Sequence, residues 1–356
     1  MFQPNPDFSR FHNAVKGRPT DRQPLCEALV GYGIMSKFLK KTVTMDDYKS
    51  QVEFWYKAGY DFIPVPVSLL TPGGVTEESK ITQILKKLVL AKNPDENDPK
   101  AWNLEFSSFI DDRNDFNDFP WDEASKIDYS KLNAVKEYLP KGMKIIVTTG
   151  KIFTLTWMLM GFSNLCIKLM EEPDLVTDVF KKIAEIQYSV LDRILEYKSV
   201  GAVWMIDDLA YSIGPMLSPD SFRQHVFPWY KDMAEKCHAK NKLVILHSDG
   251  NLDKLMPDFI DIGIDLLHPI DPTCWDIKKV KERYGDKIAV AGNVSNELLH
   301  TGTPAEVREY TKFLLEEIAP GGKFLLGSGN SVPDWAQFEN YLTMRNTALG
   351  LSSDDC

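Results

Sequence analysis

Short runs of β-branched and other apolar residues alternate with amphipathic segments of ten to twenty residues from Met143 onward. This change of hydrophobic period predicts strands and helices in turn, which is the pattern of parallel βαβ units. Six such runs follow residue 143 and two precede it, at residues 24–30, 61–69, 144–150, 202–208, 243–249, 265–271, 288–294 and 323–329. Because each run is almost continuously apolar, we expect a parallel sheet covered on both faces, in an α/β fold of the (β/α)8 TIM-barrel type.

Helix start and stop signals support this order of elements. Ser218 precedes Pro219, as an N-cap precedes a proline at the first helical position, and Thr303 with Glu306 forms a capping-box pattern. Two glycines at 321–322 end the helix that starts at Thr303 and turn the chain towards the last predicted strand. The helical segments therefore begin and end where a barrel of βα units requires.

The length of 356 residues fits one elaborated barrel, so we expect a single domain over residues 1–356, with an N-terminal extension over 1–20. Residues 71–128 break the rhythm, because they are rich in Asp, Asn and Pro and carry six aromatic side chains. We interpret this segment as an insertion after the second strand. Such insertions often cover the active site of a barrel, so it is either a lid or a passive excursion packed on the barrel side.

The net charge of −10 argues against a nucleic-acid partner, because phosphate binding depends on clustered lysines and arginines. Five widely spaced cysteines without a CxxC pair, and a start without a secretory signal, favour free thiols in a reducing compartment. The most apolar stretch, around residues 152–170, is interrupted by Gly161, which favours a buried core helix over a membrane span. We therefore expect a cytoplasmic protein that binds neither membrane nor nucleic acid.

Polar residues end four of the predicted strands, where the loops of a barrel carry the active site. They are Asp207, Asp208, His247, Asp249, His268, Asp271 and Asn293. His247 and Asp249 are two residues apart, so both side chains point into the barrel mouth if the chain stays extended. A histidine beside carboxylates suits a metal site or a general acid/base, and the alternative is a buried histidine tied to a carboxylate for structural reasons alone.

Asp207 and Asp208 cannot both face inward on a regular strand, so one is expected to be a site residue and the other a helix cap or rim group. His268 precedes Pro269 and has two readings. It either takes part in the site or only hydrogen-bonds a backbone carbonyl at the rim.

The C-terminal half carries motifs that together resemble the uroporphyrinogen decarboxylase-like superfamily. They are HSDGN at 247–251, DIKKVKERYGDK at 276–287, AGN at 291–293 and TGTPAEV at 301–307. The segments IDDLAYSIG from residue 206 and GKIFTLTWMLMG from residue 150 extend the resemblance to about residue 145. The resemblance implies a TIM barrel with its chemistry at the carboxyl ends of the strands. The same superfamily contains corrinoid-dependent methyltransferases acting on methanol, methylamines, methylthiols and aryl methyl ethers.

The resemblance is weaker to the true decarboxylases of this superfamily, which have an arginine-rich N-terminal loop and an acid after the second strand. Arg18 and Arg22 are the only arginines in the corresponding loop, and Ser68 stands about where the acid is expected. A substrate with many carboxylates needs several cations. Decarboxylation of uroporphyrinogen is therefore disfavoured.

The zinc methyltransferases of the methanol and thiol type resemble one another in a His-x-Cys motif after strand five and a further cysteine after strand eight. This chain keeps His247 but has Asp249 and Ser328 in place of the two cysteines. The resemblance therefore implies a zinc site of nitrogen and oxygen ligands, of the type described for aryl methyl ether demethylases. The candidate ligands are His247, Asp249, Asp207, Asp208 and Glu27.

The leading hypothesis from this resemblance is a methyltransferase of the O-demethylase type. It would move a methyl group from a small methylated donor, such as an aryl methyl ether, to a separate corrinoid protein, with His247, Asp208 and Asn293 as the catalytic candidates. The alternatives are a metal-independent decarboxylase or lyase on a small acid, a tetrahydrofolate-linked methyltransferase, and a non-catalytic binding protein. Association into a homodimer is left open.

Overall fold

Parallel strands form the centre of the molecule, which is a computed structural model that describes residues 2–67, 108–124 and 127–351. Seven of them make one curled sheet in the order β1-β2-β3-β6-β7-β8-β9, every neighbouring pair parallel. They are β1 Phe62–Pro66, β2 Lys144–Thr149, β3 Val200–Ile206, β6 Leu243–His247, β7 Leu266–His268, β8 Ala289–Val294 and β9 Phe324–Ser328. Two short strands, β4 Ala210–Tyr211 and β5 Gly214–Pro215, form an antiparallel hairpin after β3. The predicted α/β class with a parallel sheet is confirmed.

The first predicted strand, residues 24–30, is present only as two isolated parallel bridges, Leu25 to Leu326 and Val30 to Val332. Between them, the backbone N–H of Ser328 donates to the Glu27 carboxylate at 2.7 Å and not to a strand carbonyl. A side chain therefore replaces the ladder bond at this point. The described residues thus show seven strands in the main parallel sheet where the sequence predicts eight.

Helices cover the sheet between successive strands. They are α1 Phe8–Val15, α2 Tyr32–Leu39, α3 Tyr48–Lys57, α4 Arg113–Asp118, α5 Trp121–Ala124, α6 Ser130–Tyr138, α7 Phe153–Met160, α8 Phe162–Glu171, α9 Pro173–Leu195, α10 Pro219–His225, α11 Phe227–Ala239, α12 Met256–Ile262, α13 Ile277–Tyr284, α14 Asn296–Thr301, α15 Pro304–Phe313 and α16 Phe338–Ala348. A 3-10 turn, Asp253–Leu255, precedes α12, and a π-helical turn, Leu314–Ile318, extends α15. Both predicted caps are confirmed, since Ser218 accepts from the N–H of Ser221 and Thr303 forms a reciprocal capping box with Glu306.

Of the predicted insertion, residues 71–107 lie outside the described part of the chain, as does Ser68. Its described end carries α4 and α5, and the backbone N–H groups of Phe109 and Ile110 donate to the carbonyl of Leu159 at the end of α7. Ile110 is completely buried. This end of the segment therefore packs on the βα layer, and its role as a lid stays a prediction.

The most apolar stretch of the sequence forms α7 and α8, which are separate helices. Seven of the eight residues of α7 are buried. Within the described ranges no single helix has the length and apolar character to cross a bilayer, and only the pair α7 and α8, bent by 93°, reaches that threshold jointly. The four cysteines that the structure describes, Cys26, Cys166, Cys237 and Cys274, are all free thiols.

Candidate metal centre

The carboxyl ends of three neighbouring strands lie level with one another. Ile206 of β3 pairs with His247 of β6, and His247 in turn pairs with His268 of β7. Each of the two carboxylates closest to His247 comes two residues after a strand end, Asp208 after β3 and Asp249 after β6. The register of the sheet thus brings together residues that are about forty positions apart in sequence.

His247, Asp208 and Asp249 converge on one small space. The Nε2 atom of His247 lies 3.9 Å from Oδ1 of Asp208 and 4.0 Å from Oδ1 of Asp249, and one ligand atom from each residue lies within 4.8 Å of the others. Donors about 2.1 Å from a tetrahedral zinc ion are about 3.4 Å apart. Small side-chain rotations would therefore close this set around an ion, and a nitrogen with two carboxylate oxygens is a donor set that zinc accepts.

The three side chains differ in exposure. His247 is 9% exposed, whereas the carboxylates of Asp208 and Asp249 are 44% and 37% exposed. A cation held here would keep one side open to solvent or substrate, as a catalytic site with three protein ligands requires. The sequence-based expectation that His247 and Asp249 share the mouth with one acid of the 207–208 pair agrees with this placement.

Asp249 is oriented by a residue that sequence reasoning missed. The side-chain amide of Asn330 donates to Oδ2 of Asp249 at 2.7 Å, which leaves Oδ1 towards His247. Burial raises the pKa of Asp249 to about 6, with His247 opposing that shift and Asp208 adding to it. A cation between the two carboxylates would relieve this unfavourable burial and repulsion. Asn330 comes two residues after the end of β9, and only that position near a strand end could have indicated it.

His268 lies behind His247 and is completely buried. The two Nδ1 atoms are 2.9 Å apart, and the His268 ring packs edge-on against Trp204 with centroids 4.8 Å apart. Burial, and secondly the neighbouring His247, hold the pKa of His268 well below its usual range. The sequence leaves two roles open for His268. The structure places its ring in direct contact with His247, which favours the role in the site.

Asp207 is not brought into this cluster. Its completely buried carboxylate accepts from the backbone N–H groups of Ile152, Phe153 and Thr154 at 2.8, 2.7 and 2.6 Å, and from the hydroxyl of Tyr230 at 2.7 Å. These three N–H groups begin α7, which has no other acceptor for them because a helix start leaves its first donors unpaired. Of the two adjacent aspartates, Asp207 is therefore the helix cap, and Asp208 is the one that faces His247.

Glu27 and Asn293 are also held elsewhere. The Glu27 carboxylate accepts from both the N–H and the hydroxyl of Ser328, and its complete burial raises its pKa to about 8. Asn293 donates to the carbonyl of Ile270 at 2.7 Å and accepts from the hydroxyl of Tyr310 at 2.7 Å. The structure therefore gives neither side chain a place among the converging donors, because its polar atoms are already used.

A cavity of about 460 Å³ opens beside His247. Its walls are mostly apolar and aromatic, and just over half of the lining residues come from the N-terminal third of the chain. Residues that shape it include Tyr32, Met35, Tyr48, Trp55, Pro64 and Ile206, and Asn330, Lys131 and Lys151 also line it. A volume of this size suits a small organic molecule.

Neither arginine of the N-terminal loop lines this cavity. Arg22 donates to the carbonyl of Gly59 and to the carboxylate of Asp61, which precedes β1 and therefore lies at the amino end of the sheet. Arg18 lines a second cavity beside Gly322, also away from His247. The two arginines that would help to hold a substrate with many carboxylates are thus away from this cavity.

Comparisons with known proteins agree with this architecture. The model of the family described as "Uroporphyrinogen decarboxylase (URO-D)" matches residues 108–349. Among solved structures, one described as a methyltransferase from Methanosarcina mazei superposes with a TM-score of 0.65 at 19% sequence identity, covering 96% of this chain and 97% of the other. That identity supports a shared fold. No curated protein sequence matches the chain significantly.

Proposed function

Since the chain belongs to the uroporphyrinogen decarboxylase (URO-D) family, and Arg18 and Arg22 lie away from the cavity beside His247, we propose that it is a metal-dependent methyltransferase of this family. It would take a methyl group from a small methylated donor, in the first place an aryl methyl ether, and pass it to the cobalt of a separate corrinoid protein. The observation that carries this proposal is the convergence of His247, Asp208 and Asp249 beside an apolar cavity.

The converging side chains fit a zinc ion by donor type and by spacing. His247 would supply one nitrogen, and Asp208 and Asp249 one oxygen each. Zinc bound there would act as a Lewis acid on the ether oxygen, which gains negative charge as its bond to the methyl carbon breaks. The methyl carbon would form its new bond to the reduced cobalt of the corrinoid protein while the electron pair of the C–O bond passed to the ether oxygen, and the phenolate released would take a proton from solvent. His247 and the two carboxylates set where this oxygen must lie.

The cavity walls determine which donor can reach that point. Tyr32, Tyr48 and Trp55 offer flat apolar surface, which favours an aromatic ring over a strongly hydrated aliphatic chain. His247 lines the same cavity, so a ring bound there can direct a ring-bound oxygen to the metal centre. The fold of the Methanosarcina mazei methyltransferase, which spans nearly the whole chain, agrees with methyl transfer as the reaction class.

Two measurements test this proposal. Protein purified without chelator should contain zinc, or take it up, in about one equivalent. Mixed with a reduced corrinoid protein and a methoxylated aromatic acid, it should shift the cobalt absorption to that of the methylated form. No shift across a panel of methyl donors would refute the methyl-transfer function, and full activity on a small acid without any metal would support a decarboxylase or lyase.

A variant pair ties the reaction to the site. His247→Ala should lose zinc and activity but keep its fold, because the side chain has one hydrogen bond and lies at a strand end. His238→Ala is the matched control, since His238 binds Asp265 at the amino end of β7. Loss of activity in both variants, or marked unfolding of His247→Ala alone, would argue for a structural role of His247.

A further inference from the structure

A hydrogen bond joins the buried side chains of His247 and His268. Which ring donates the proton decides whether His247 can bind a cation. Both residues end their strands, in register, and their Nδ1 atoms face each other at 2.9 Å. A neutral imidazole has one N–H donor and one acceptor nitrogen. A bond between two Nδ1 atoms therefore has its proton on one ring and the lone pair on the other.

The two directions of this bond leave His247 in different tautomers. If His247 donates from Nδ1, its Nε2 carries a lone pair directed at Asp208 and Asp249 and can bind a cation. If His268 donates, Nε2 of His247 carries the proton. That N–H would find its carboxylate oxygens 3.9 and 4.0 Å away, too far for a hydrogen bond.

We propose that His268 is a positioning residue that accepts from Nδ1 of His247 and so holds the Nε2 lone pair towards the metal centre. This inference rests on the metal site proposed above. Ligand histidines generally have a partner on the ring nitrogen that does not bind the metal, and this partner fixes both tautomer and ring orientation. In this tautomer the proton of His268 is on Nε2, which is buried and has no hydrogen-bond partner among the described residues, so this unpaired N–H is the cost of the arrangement. Edge-on packing against Trp204 fixes the orientation of the completely buried ring.

Because His268 is a neutral partner for His247, it leaves the net charge of the metal centre unchanged. A divalent cation with one neutral histidine and the carboxylates of Asp208 and Asp249 has a net charge of zero. A carboxylate in place of His268 would add a buried negative charge and weaken the centre as a Lewis acid. An imidazole acceptor orients His247 without that loss.

The test compares two substitutions of His268 by zinc affinity, measured by competition with a chelating dye. His268→Asn places a side-chain oxygen near the former Nδ1 position and should bind zinc within about threefold of the wild type. His268→Leu has similar bulk but no acceptor, and should bind zinc about 10- to 100-fold more weakly. His225→Leu is the matched control, because His225 is also buried but stacks on Phe180 away from the centre, and its zinc affinity should not change.

The ¹⁵N spectrum of wild-type histidines gives a second readout that does not depend on the variants folding. With zinc bound, His247 should show a protonated Nδ1, and His268 an unprotonated Nδ1. Unchanged zinc affinity in His268→Leu, equal losses in both His268 variants, or a proton on Nδ1 of His268 in the zinc-bound protein would each overturn this inference alone. Absence of zinc binding by the wild type would overturn the proposed metal site and this inference with it.

Discussion

Changing Asp207 to asparagine should lower the stability of the fold, whereas changing the adjacent Asp208 to asparagine should lower zinc affinity. Asp207 is completely buried and caps α7, whereas Asp208 is 44% exposed and faces His247. At both positions the asparagine side chain is almost the same size as the aspartate that it replaces, and it removes one negative charge. Any difference between the two variants therefore reports what each carboxylate does.

The loss in Asp207→Asn follows from its four hydrogen bonds. The Asn oxygen can keep the position that accepts from Ile152, Phe153 and Tyr230, but its NH2 group then faces the N–H of Thr154. One buried donor left unpaired costs about 1–3 kcal/mol. The three remaining bonds weaken because they lose their charge, and the saved cost of burying that charge offsets part of this. We expect a net loss of about 2–4 kcal/mol in the free energy of unfolding.

Urea unfolding and zinc competition, both at pH 7, separate the two aspartates. Asp207→Asn should unfold at clearly lower urea and, while folded, keep its zinc affinity. Asp208→Asn should change the free energy of unfolding by less than about 0.5 kcal/mol, as a partly exposed residue does, but weaken zinc binding at least about tenfold. The reasoning is refuted if Asp207→Asn has the wild-type urea midpoint and loses zinc, because Asp207 would then be the ligand.

Two further predictions concern buried charges away from the metal centre. Burial raises the pKa of Glu27 to about 8, so the folded state binds the carboxyl proton more tightly than the unfolded chain does. The wild type therefore loses stability as pH rises from about 4.5 towards 8. Glu27→Gln lacks this loss, so its urea midpoint relative to the wild type should rise between pH 5 and pH 8, and a pH-independent difference would contradict the prediction. Arg10 pairs with the completely buried Asp61, which Arg22 also contacts, so Arg10→Met should lower the free energy of unfolding by about 3 kcal/mol without changing zinc affinity. A urea midpoint like that of the wild type would show that Arg22 alone balances Asp61.

The strand pattern was predictable because burial on both faces of a parallel sheet leaves a local trace in the sequence. Each predicted run from residue 61 onward overlaps one strand of the sheet, and only β3 begins before its run, by two residues. The run at 24–30 is equally apolar, yet the Glu27 side chain takes the N–H of Ser328 and interrupts the ladder. A contact across about three hundred residues decides this point, and no local pattern reports it.

The site was predictable only in part, for a similar reason. His247 and Asp249 could be placed because their spacing on one extended segment sets their direction. The division of roles between Asp207 and Asp208 could not be assigned, because it depends on the start of α7 arriving beside β3. Asn330 and the cavity walls come from other parts of the chain and share no spacing with His247.

The backbone N–H groups of Asp207 and Asp208 also serve the metal centre, independently of the Asp207 carboxylate, and Asp207→Asn leaves them in place. The N–H of Asp207 donates to the carbonyl of His247 at 2.9 Å, and the N–H of Asp208 donates to the hydroxyl of Thr154 at 3.2 Å. The segment that carries Asp208 is thus fixed to β6 on one side and to the start of α7 on the other. The side chain of Asp208 is partly exposed and can rotate, but this rigid backbone limits its carboxylate to positions near His247. A ligand set held in this way loses less side-chain freedom when a cation binds.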